Sequence, residues 1–468
     1  MDQQTIVIDN GSGYIKAGLN IYDEPSIVFP TVVGKHRSSE VKQMYVGDEA
    51  IFHESELSIY HPIDHGHISN WDLAQTTWEY TLGCVDQKRN VKNILLTEPP
   101  LCSTSHRTKM GELFFEHFDF DNINISVSGL MSIYAAGLTT GLVLDIGEGV
   151  TQCIPVFDGY IEKNSIIRSD FGGEELSMFL QKLICDIGYS VTTRKNFEYV
   201  KTMKETLCFC SLNPPKDQMR EDLSVTYTLP DGEMLRDGYD AIEISHERFY
   251  VPEALFNPLI CHRDSLSIVD IVWKSILLCP IENRKTLTSY IVLSGGSSLF
   301  PNLVERLERE IKNNAPENAR SAVKVILNIR EFILLCAQRS APPWVYNYMA
   351  VSLRGRTSAH DHVHAYENRA IMAWCGARIF SQPELRSAQE GLWISKEEYE
   401  EIAVKANATS YPCCYYQFYF RDTPNKHRMN FYTPVFSITR ETQLRPPLQC
   451  CKCTRRNRVL VYAFFERG

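Results

Sequence analysis

The sequence predicts an α/β fold built twice around a cleft, and three observations carry that expectation. Short apolar runs that stop at turn residues alternate with amphipathic helical patterns along the 468 residues. One device, an apolar run ending in Asp followed by Gly-x-Gly, occurs twice, as "IVIDNGSGY" from Ile6 and "LVLDIGEGV" from Leu142. A third strand-to-turn element, "LSGGSSLFPN" from Leu293, carries a double glycine ahead of a further helical stretch.

Each element follows from local chemistry. "TIVID" (Thr5 to Asp9), "NILLTEPP" (Asn93 to Pro100), "GLVLDIG" (Gly141 to Gly147) and "SYIVLSGG" (Ser289 to Gly296) are short apolar runs bounded by turn residues, as buried strands are. "NWDLAQTTWEYTLG" predicts a helix: Asn70 caps it, Trp71, Ala74, Trp78 and Leu82 recur at helical spacing, and Gly83 is its expected stop. "PNLVERLEREIKNN" puts Leu303, Leu307 and Ile311 on one stripe, with Glu305/Arg309 and Glu308/Lys312 as ion pairs outside. "KETLC" (Lys204 to Cys208) lies in a helical stretch, where a Lys-Glu pair is ordinarily solvated surface.

Composition narrows the class. With 44% hydrophobic residues the chain can bury a large core in two or more domains. The start "MDQQTIVID" lacks a signal-peptide pattern, no stretch reaches a membrane span, and fifteen cysteines form no regular framework, so an intracellular, reducing setting is expected. Net charge is −9, unevenly spread: residues 407–468 hold ten Lys/Arg against three acids, or +7, which leaves −16 for the body. An acidic body argues against general nucleic-acid binding.

The doubled motif has a direct chemical reading. A strand ending in Asp brings a carboxylate to a cleft edge, and glycines after it permit positive φ and close approach of N–H groups to a ligand. One such hairpin is ordinary turn chemistry. Two in matching contexts predict hairpins that face each other and clamp a polyphosphate, with Asp9 and Asp145 holding a divalent cation through its waters. "LSGGSSLFPN" then leaves room for a flat base or ribose against backbone.

The segments "IDNGSGYIKAGL", "YVGDEA", "YHPIDHGHISNWD", "ILLTEPPL", "TTGLVLDIGEGVTQCIPVFDGY", "YTLPDG", "ERFYVPEALFNP", "VLSGGSSLFPN" and "LWISKEEYEE" occur in the order and approximate spacing of actin, so the chain resembles the actin family over about residues 4 to 405. Sugar kinases and Hsp70 chaperones share the two hairpins but not the NWD, TEPPL or WISKEEYEE segments. Almost every motif is altered, as in an actin-related protein. "SLNPPKDQ", "LSIYHPIDHG" and "VLSGGSSLF" are most similar to centractin-type proteins, the filament subunits of dynactin, whereas "WEYTLG" and "LTEPP" lean toward the branching-complex type. Testis-type and chromatin-remodelling relatives stay open.

The resemblance implies two α/β domains, each a five-stranded sheet flanked by helices, with ATP or ADP and Mg or Ca in the cleft between them. It implies a small domain of residues 1–135 plus 366–406, a large one of 136–328, a divergent insertion at 329–365 and an extension at 407–468. Transferred motif by motif, Asp9, Gly11, Ser12, Gly13 and Lys16 match the first phosphate loop, and Asp145, Gly147, Glu148, Gly149 and Val150 the second. Gly173, Lys204, Glu205, Gly295, Gly296, Ser297 and Phe300 fall where the family holds the nucleoside. Glu148 replaces an aspartate, and Glu174 stands where an arginine is usual. A filament or multiprotein-complex subunit in the cytoplasm and cytoskeleton is the implied role.

Departures from the family pattern predict weakened turnover. Ser128 occupies the position of the glutamine that orients the attacking water, and Gln152 that of a nearby histidine. Serine is too short to reach what a glutamine amide reaches, so hydrolysis is expected to suffer more than binding. The loop between Gly34 and Gly47 is shorter than the subunit-docking segment of actin, which weakens self-assembly through it. His360, His362 and His364 in the insertion alternate with no cysteine pair alongside, and in the extension Cys450 and Cys453 form a C-x-x-C whose would-be partners Cys413 and Cys414 are adjacent rather than correctly spaced, so neither group makes a strong zinc site. The extension interleaves aromatic and basic residues, a composition compatible with RNA or a partner, though its lack of periodicity favours little fixed structure.

Overall fold

A computed structural model describes residues 4–37, 43–235, 237–317, 320–326, 369–383 and 392–401. The insertion at 329–365 with its three histidines, the extension at 407–468 with its cysteines, and part of the 34–47 loop lie outside the described residues.

Two sheets are built on one plan. In the first, Thr5–Asn10 forms an antiparallel hairpin with Tyr14–Leu19, Ile27–Pro30 extends it, and Asn93–Glu98 and Asn122–Val127 add in parallel on the other side. In the second, Gly141–Ile146 forms the hairpin with Thr151–Phe157, and Ile291–Ser294 and Val325–Ile326 add in parallel. Among the described residues each sheet has six strands rather than the expected five. In the first, the two-residue strand Ile394–Ser395 pairs with the outer edge of Asn122–Val127. In the second, Tyr160–Ile161 and Ile167–Ser169 divide one edge of Thr151–Phe157 between them.

Both faces of each sheet are buried, which is why these strands read as continuous apolar runs. Ile6, Ile8, Ile94 and Leu96 face one core, whereas Val7 and Leu95, one residue out of phase, face another. Leu142, Leu144 and Ile146 likewise face the second sheet's own core, while Val143 joins Val7 in the shared one. That shared core holds the helices Ser128–Ala135 and Met372–Phe380 between the two sheets. They touch backbone to backbone: a Cβ on Gly376 would lie 1.7 Å from the Met131 carbonyl oxygen. Trp374, fully buried, donates its indole N–H to the Val7 carbonyl at 3.1 Å and ties the returning chain to the first sheet.

Helix predictions hold with local differences. Asn70 caps Trp71–Val85 by accepting from the Leu73 N–H at 3.1 Å, but the helix runs past Gly83, whose Cα faces open space and is not needed for a turn. Leu303, Leu307 and Ile311 are buried as expected, and Glu308 pairs with Lys312. Arg309 turns to Glu310 at 3.4 Å instead of Glu305. On the shortened 34–47 loop, Val33–His36 pairs with both Met44–Val46 and Leu57–Tyr60.

Candidate functional site

The two hairpin turns come together at the cleft between the sheets. A Cβ on Gly13 would fall 2.8 Å from the Glu148 Cβ, and one on Gly149 would fall 3.6 Å from the Ser12 Cβ. The expected positive φ at these glycines is not observed: the left-handed glycines lie elsewhere, among them Gly295 at 87°. Glycine is required here by closeness instead. A side chain on Gly11 would meet the Tyr14 carbonyl at 2.4 Å, and one on Gly149 would meet the His65 Cα at 3.1 Å. Thr31 fastens the first turn, donating its hydroxyl to the Gly11 carbonyl at 2.8 Å and its N–H to the Gly13 carbonyl at 2.9 Å. The second turn is held by the Gly173 N–H on the Gly147 carbonyl and the Glu174 N–H on the Glu148 carbonyl, each at 2.9 Å.

Each aspartate receives the same two kinds of neighbour. On its own hairpin, Asp9 is paired with Lys16, whose ammonium lies 3.1 Å from Oδ2; Asp145 is paired with Gln152. On the adjacent parallel strand stands a hydroxyl: Thr97 donates to Asp9 Oδ1 at 2.6 Å, and Ser294 stands in register with Asp145, its hydroxyl 3.0 Å from that of Ser132. Burial, and then the Asp9 charge, push the Asp145 carboxyl up to about 6 against the opposing pull of Lys16 and Ser294. Two carboxylates served by one lysine leave surplus negative charge on oxygen donors, a set suited to a hard divalent cation.

A second cradle adjoins the Glu148 turn. The helices Gly173–Asp186 and Arg194–Leu207 bring Gly173 and Lys204 together, and the Lys204 ammonium donates to the Gly173 carbonyl at 2.8 Å. Lys204 is 2% exposed, so the expectation of a solvated lysine is corrected: the carbonyl and Glu148, 3.6 Å away, supply the partners that burial demands. A Cβ on Gly173 would strike Glu148 Oε2 at 2.4 Å and Ser297 Oγ at 2.5 Å. Glu148, longer than the family's aspartate, thus reaches Lys204 and also Lys201 at 3.7 Å. Gly295 brings the backbone against Asp145, with Gly296 and Ser297 following in a short 3-10 turn, and the Ser297 hydroxyl donates to the Gly147 carbonyl at 3.1 Å. Phe300 packs in the core below. Burial, then neighbouring acids, raises the pKa of Glu174; burial and Glu148 also raise that of Glu205.

Ser128 opens the helix Ser128–Ala135, and its carbonyl accepts from the Ser132 hydroxyl at 3.1 Å. Gln152 is 3% exposed, and its Oε1 has no hydrogen-bond partner among the described residues. Cross-strand pairing puts its side chain on the same sheet face as that of Asp145.

The short hairpin Ile63–Asp64 with His67–Ile68 joins residues far along the chain at the cleft mouth. Arg168 donates to the His65 carbonyl at 2.7 Å and contacts His67 Nε2 at 3.0 Å, and Arg194 contacts His61 Nε2 at 2.7 Å. Sequence reasoning missed Thr31, Arg168, Lys201 and Ser294 as site residues, because their spacing has no local pattern. Thr97 was detectable only as the polar residue near the end of an apolar strand.

A duplicated two-lobed α/β chain whose paired Asp-Gly hairpins face across a cleft has the actin-like ATPase fold. The family model described as Actin matches residues 1–331, and the chain belongs to the actin family. Members of that family generally bind ATP or ADP with a divalent metal and assemble with other subunits. No helix among the described residues is long and apolar enough to cross a membrane.

Proposed function

We propose that this chain binds ATP or ADP with Mg or Ca in the cleft, turns it over slowly at most, and serves as a structural subunit of a cytoskeletal filament or multiprotein complex. The observation that carries the reading is the facing of Gly13 against Glu148, which brings two Asp-Gly hairpins to one point. Asp9 and Asp145 would hold the cation through its waters, which would offset their mutual repulsion. Lys16 and the hairpin backbones from Gly11 to Gly13 and Gly147 to Val150 would take the phosphates. Gly173, Lys204, Glu205, Gly295, Gly296 and Ser297 would hold the nucleoside, whose hydroxyls suit acceptors such as Glu205, with Phe300 supporting that turn from below. We assign residues 1–135 with 366–406 to a small domain and 136–328 to a large one.

Slow turnover rests on Ser128 and Gln152. The attacking water would have a short hydroxyl on one side and a carboxamide on the other, neither of which is a general base at neutral pH. Among complexes, the centractin-like segments favour a dynactin-type, microtubule-motor adaptor role in the cytoplasm. "WEYTLG" and "LTEPP" favour the branching complex as the second reading. Affinity purification of the full chain tests this: dynactin subunits are expected to dominate, and recovery of branching-complex or chromatin-remodelling subunits would overturn it. Nucleotide content of the purified protein tests the cleft, with ATP or ADP near one per chain expected.

A further inference from the structure

Behind the first hairpin, the strand Asn93–Glu98 ends in a tight turn that leads into the helix Thr104–Glu112. Leu101 adopts φ 64° in this turn, which folds the chain back so that Cys102 lies beneath Glu98. Ser103 caps the helix by accepting from the His106 N–H at 3.3 Å, which fixes His106 in the first turn. Ligand atoms of Glu98, Cys102 and His106 consequently lie within 4.8 Å of one another, and no other such group of His, Cys and acids occurs among the described residues.

Two features set this cluster apart from ordinary packing. Both ring nitrogens of His106 are buried and have no hydrogen-bond partner among the described residues, an arrangement that costs the desolvation of two polar atoms. Cys102 is 6% exposed and lies beside the buried Glu98 carboxylate. The Arg107 side chain binds Glu98 through Oε1 and holds the carboxylate in place, as an outer partner orients a metal ligand.

We propose that Glu98, Cys102 and His106 form a zinc site, with a fourth position left to water. Thiolate, imidazole and carboxylate together match the donor preference of zinc rather than that of magnesium or calcium. Zinc bond lengths place ligand atoms roughly 3.3–3.8 Å apart, so the three groups, all within 4.8 Å of one another, need close by no more than about 1.5 Å around the ion. Binding displaces the Cys102 proton to solvent and gives one His106 nitrogen the partner it lacks. The site is separate from the Asp9 and Asp145 carboxylates, whose all-oxygen donors suit the harder cation.

The test is titration of the metal-free full-length protein with cobalt(II) and then zinc, in excess magnesium so that hard-cation sites are filled. The expected result is one cobalt per chain with a near-ultraviolet thiolate-to-cobalt charge-transfer band, displaced by zinc. Cys102→Ser is expected to abolish the band, and His106→Gln to weaken binding by about tenfold or more. Zinc is expected to raise the melting temperature of the wild type but not of either variant. His106→Gln keeps the readout independent of any folding defect in Cys102→Ser, because it removes a ring that makes no hydrogen bond among the described residues. A wild type without the band, or a band that survives in Cys102→Ser and so belongs to cysteines elsewhere such as Cys450 and Cys453, overturns the proposal.

Discussion

The first hairpin sets its aspartate against a lysine, and the second sets its aspartate against a glutamine. Strand pairing, the glycines and a hydroxyl residue on the neighbouring parallel strand are otherwise shared, with Thr97 donating to Asp9 and Ser294 in register with Asp145. The two hairpins share a scaffold and differ in the cross-strand partner of the aspartate, Lys16 or Gln152, and in the residue between the glycines, Ser12 or Glu148. Lys16 supplies a fixed positive charge on one side of the cleft, whereas Gln152 carries a buried acceptor without a partner among the described residues on the other. A ligand with concentrated negative charge would draw its affinity mainly from the first hairpin, and any water chemistry would fall to the second.

The largest effect is expected where the two hairpins are alike. Asp9→Ala and Asp145→Ala are each predicted to lower metal-dependent ATP affinity by about 100-fold or more, since each removes a carboxylate from a site crowded with phosphate charge. Calorimetric titration with and without magnesium measures this, and unchanged affinity in both variants would remove the cation from the cleft. Next comes the point of difference: Lys16→Gln makes the first hairpin resemble the second and is predicted to cost about 2 kcal/mol of nucleotide binding. A loss that is equally large for adenosine alone would show that Lys16 does not face phosphate.

Smaller effects sharpen the second hairpin. Ser128→Gln is predicted to speed single-turnover phosphate release by about tenfold while nucleotide affinity stays level, because orienting a water acts on the transition state and hardly on ground-state phosphate binding. Equal rates in the two proteins would mean that Ser128 is not what slows turnover. Gln152→Leu replaces a buried amide whose Oε1 lacks a partner, so the nucleotide-free variant is expected to melt no lower than wild type, with a gain of about 1 kcal/mol at most. A marked fall in melting temperature would reveal an ordered water already satisfying that oxygen.

The smallest effect concerns pH. Burial and then Arg194 lower the His61 pKa, and burial and then Arg168 lower that of His67. Both rings accept from guanidinium only when neutral, so these hydrogen bonds are fully formed above the ordinary value of 6.5 and break as pH falls through the lower folded-state values. For His65, burial acts downward but the Asp64 hydrogen bond and nearby acids outweigh it, so its pKa is raised and its ion pairs strengthen in the same direction of pH. Two hydrogen bonds to arginine weaken in mild acid while one histidine's ion pairing strengthens, so the cleft mouth is expected to loosen slightly. Hydrogen exchange of residues 61–68 at two pH values measures this, and exchange slower in acid than intrinsic rates require would reverse the sign.

Much of the fold was legible in the sequence because its signals are local. Period and capping placed the strands at Thr5, Asn93, Gly141 and Ile291 and the helices from Trp71 and Leu303. The doubled Asp-x-Gly-x-Gly located both turns of the site and both carboxylates, since a strand end and its loop are contiguous in the chain. Tertiary structure alone decided what those turns meet. The hairpin glycines are needed for close approach to Tyr14, Glu148 and His65 rather than for positive φ, a distinction that depends on atoms up to 135 residues away in the chain. Lys204 is buried because a distant glycine carbonyl and Glu148 converge on it, and Thr97 and Ser294 come beside the aspartates only through parallel strand pairing. Sequence periodicity specifies which face of an element is apolar; which polar atoms then share a cleft is set by packing between segments that carry no mutual signal in the chain.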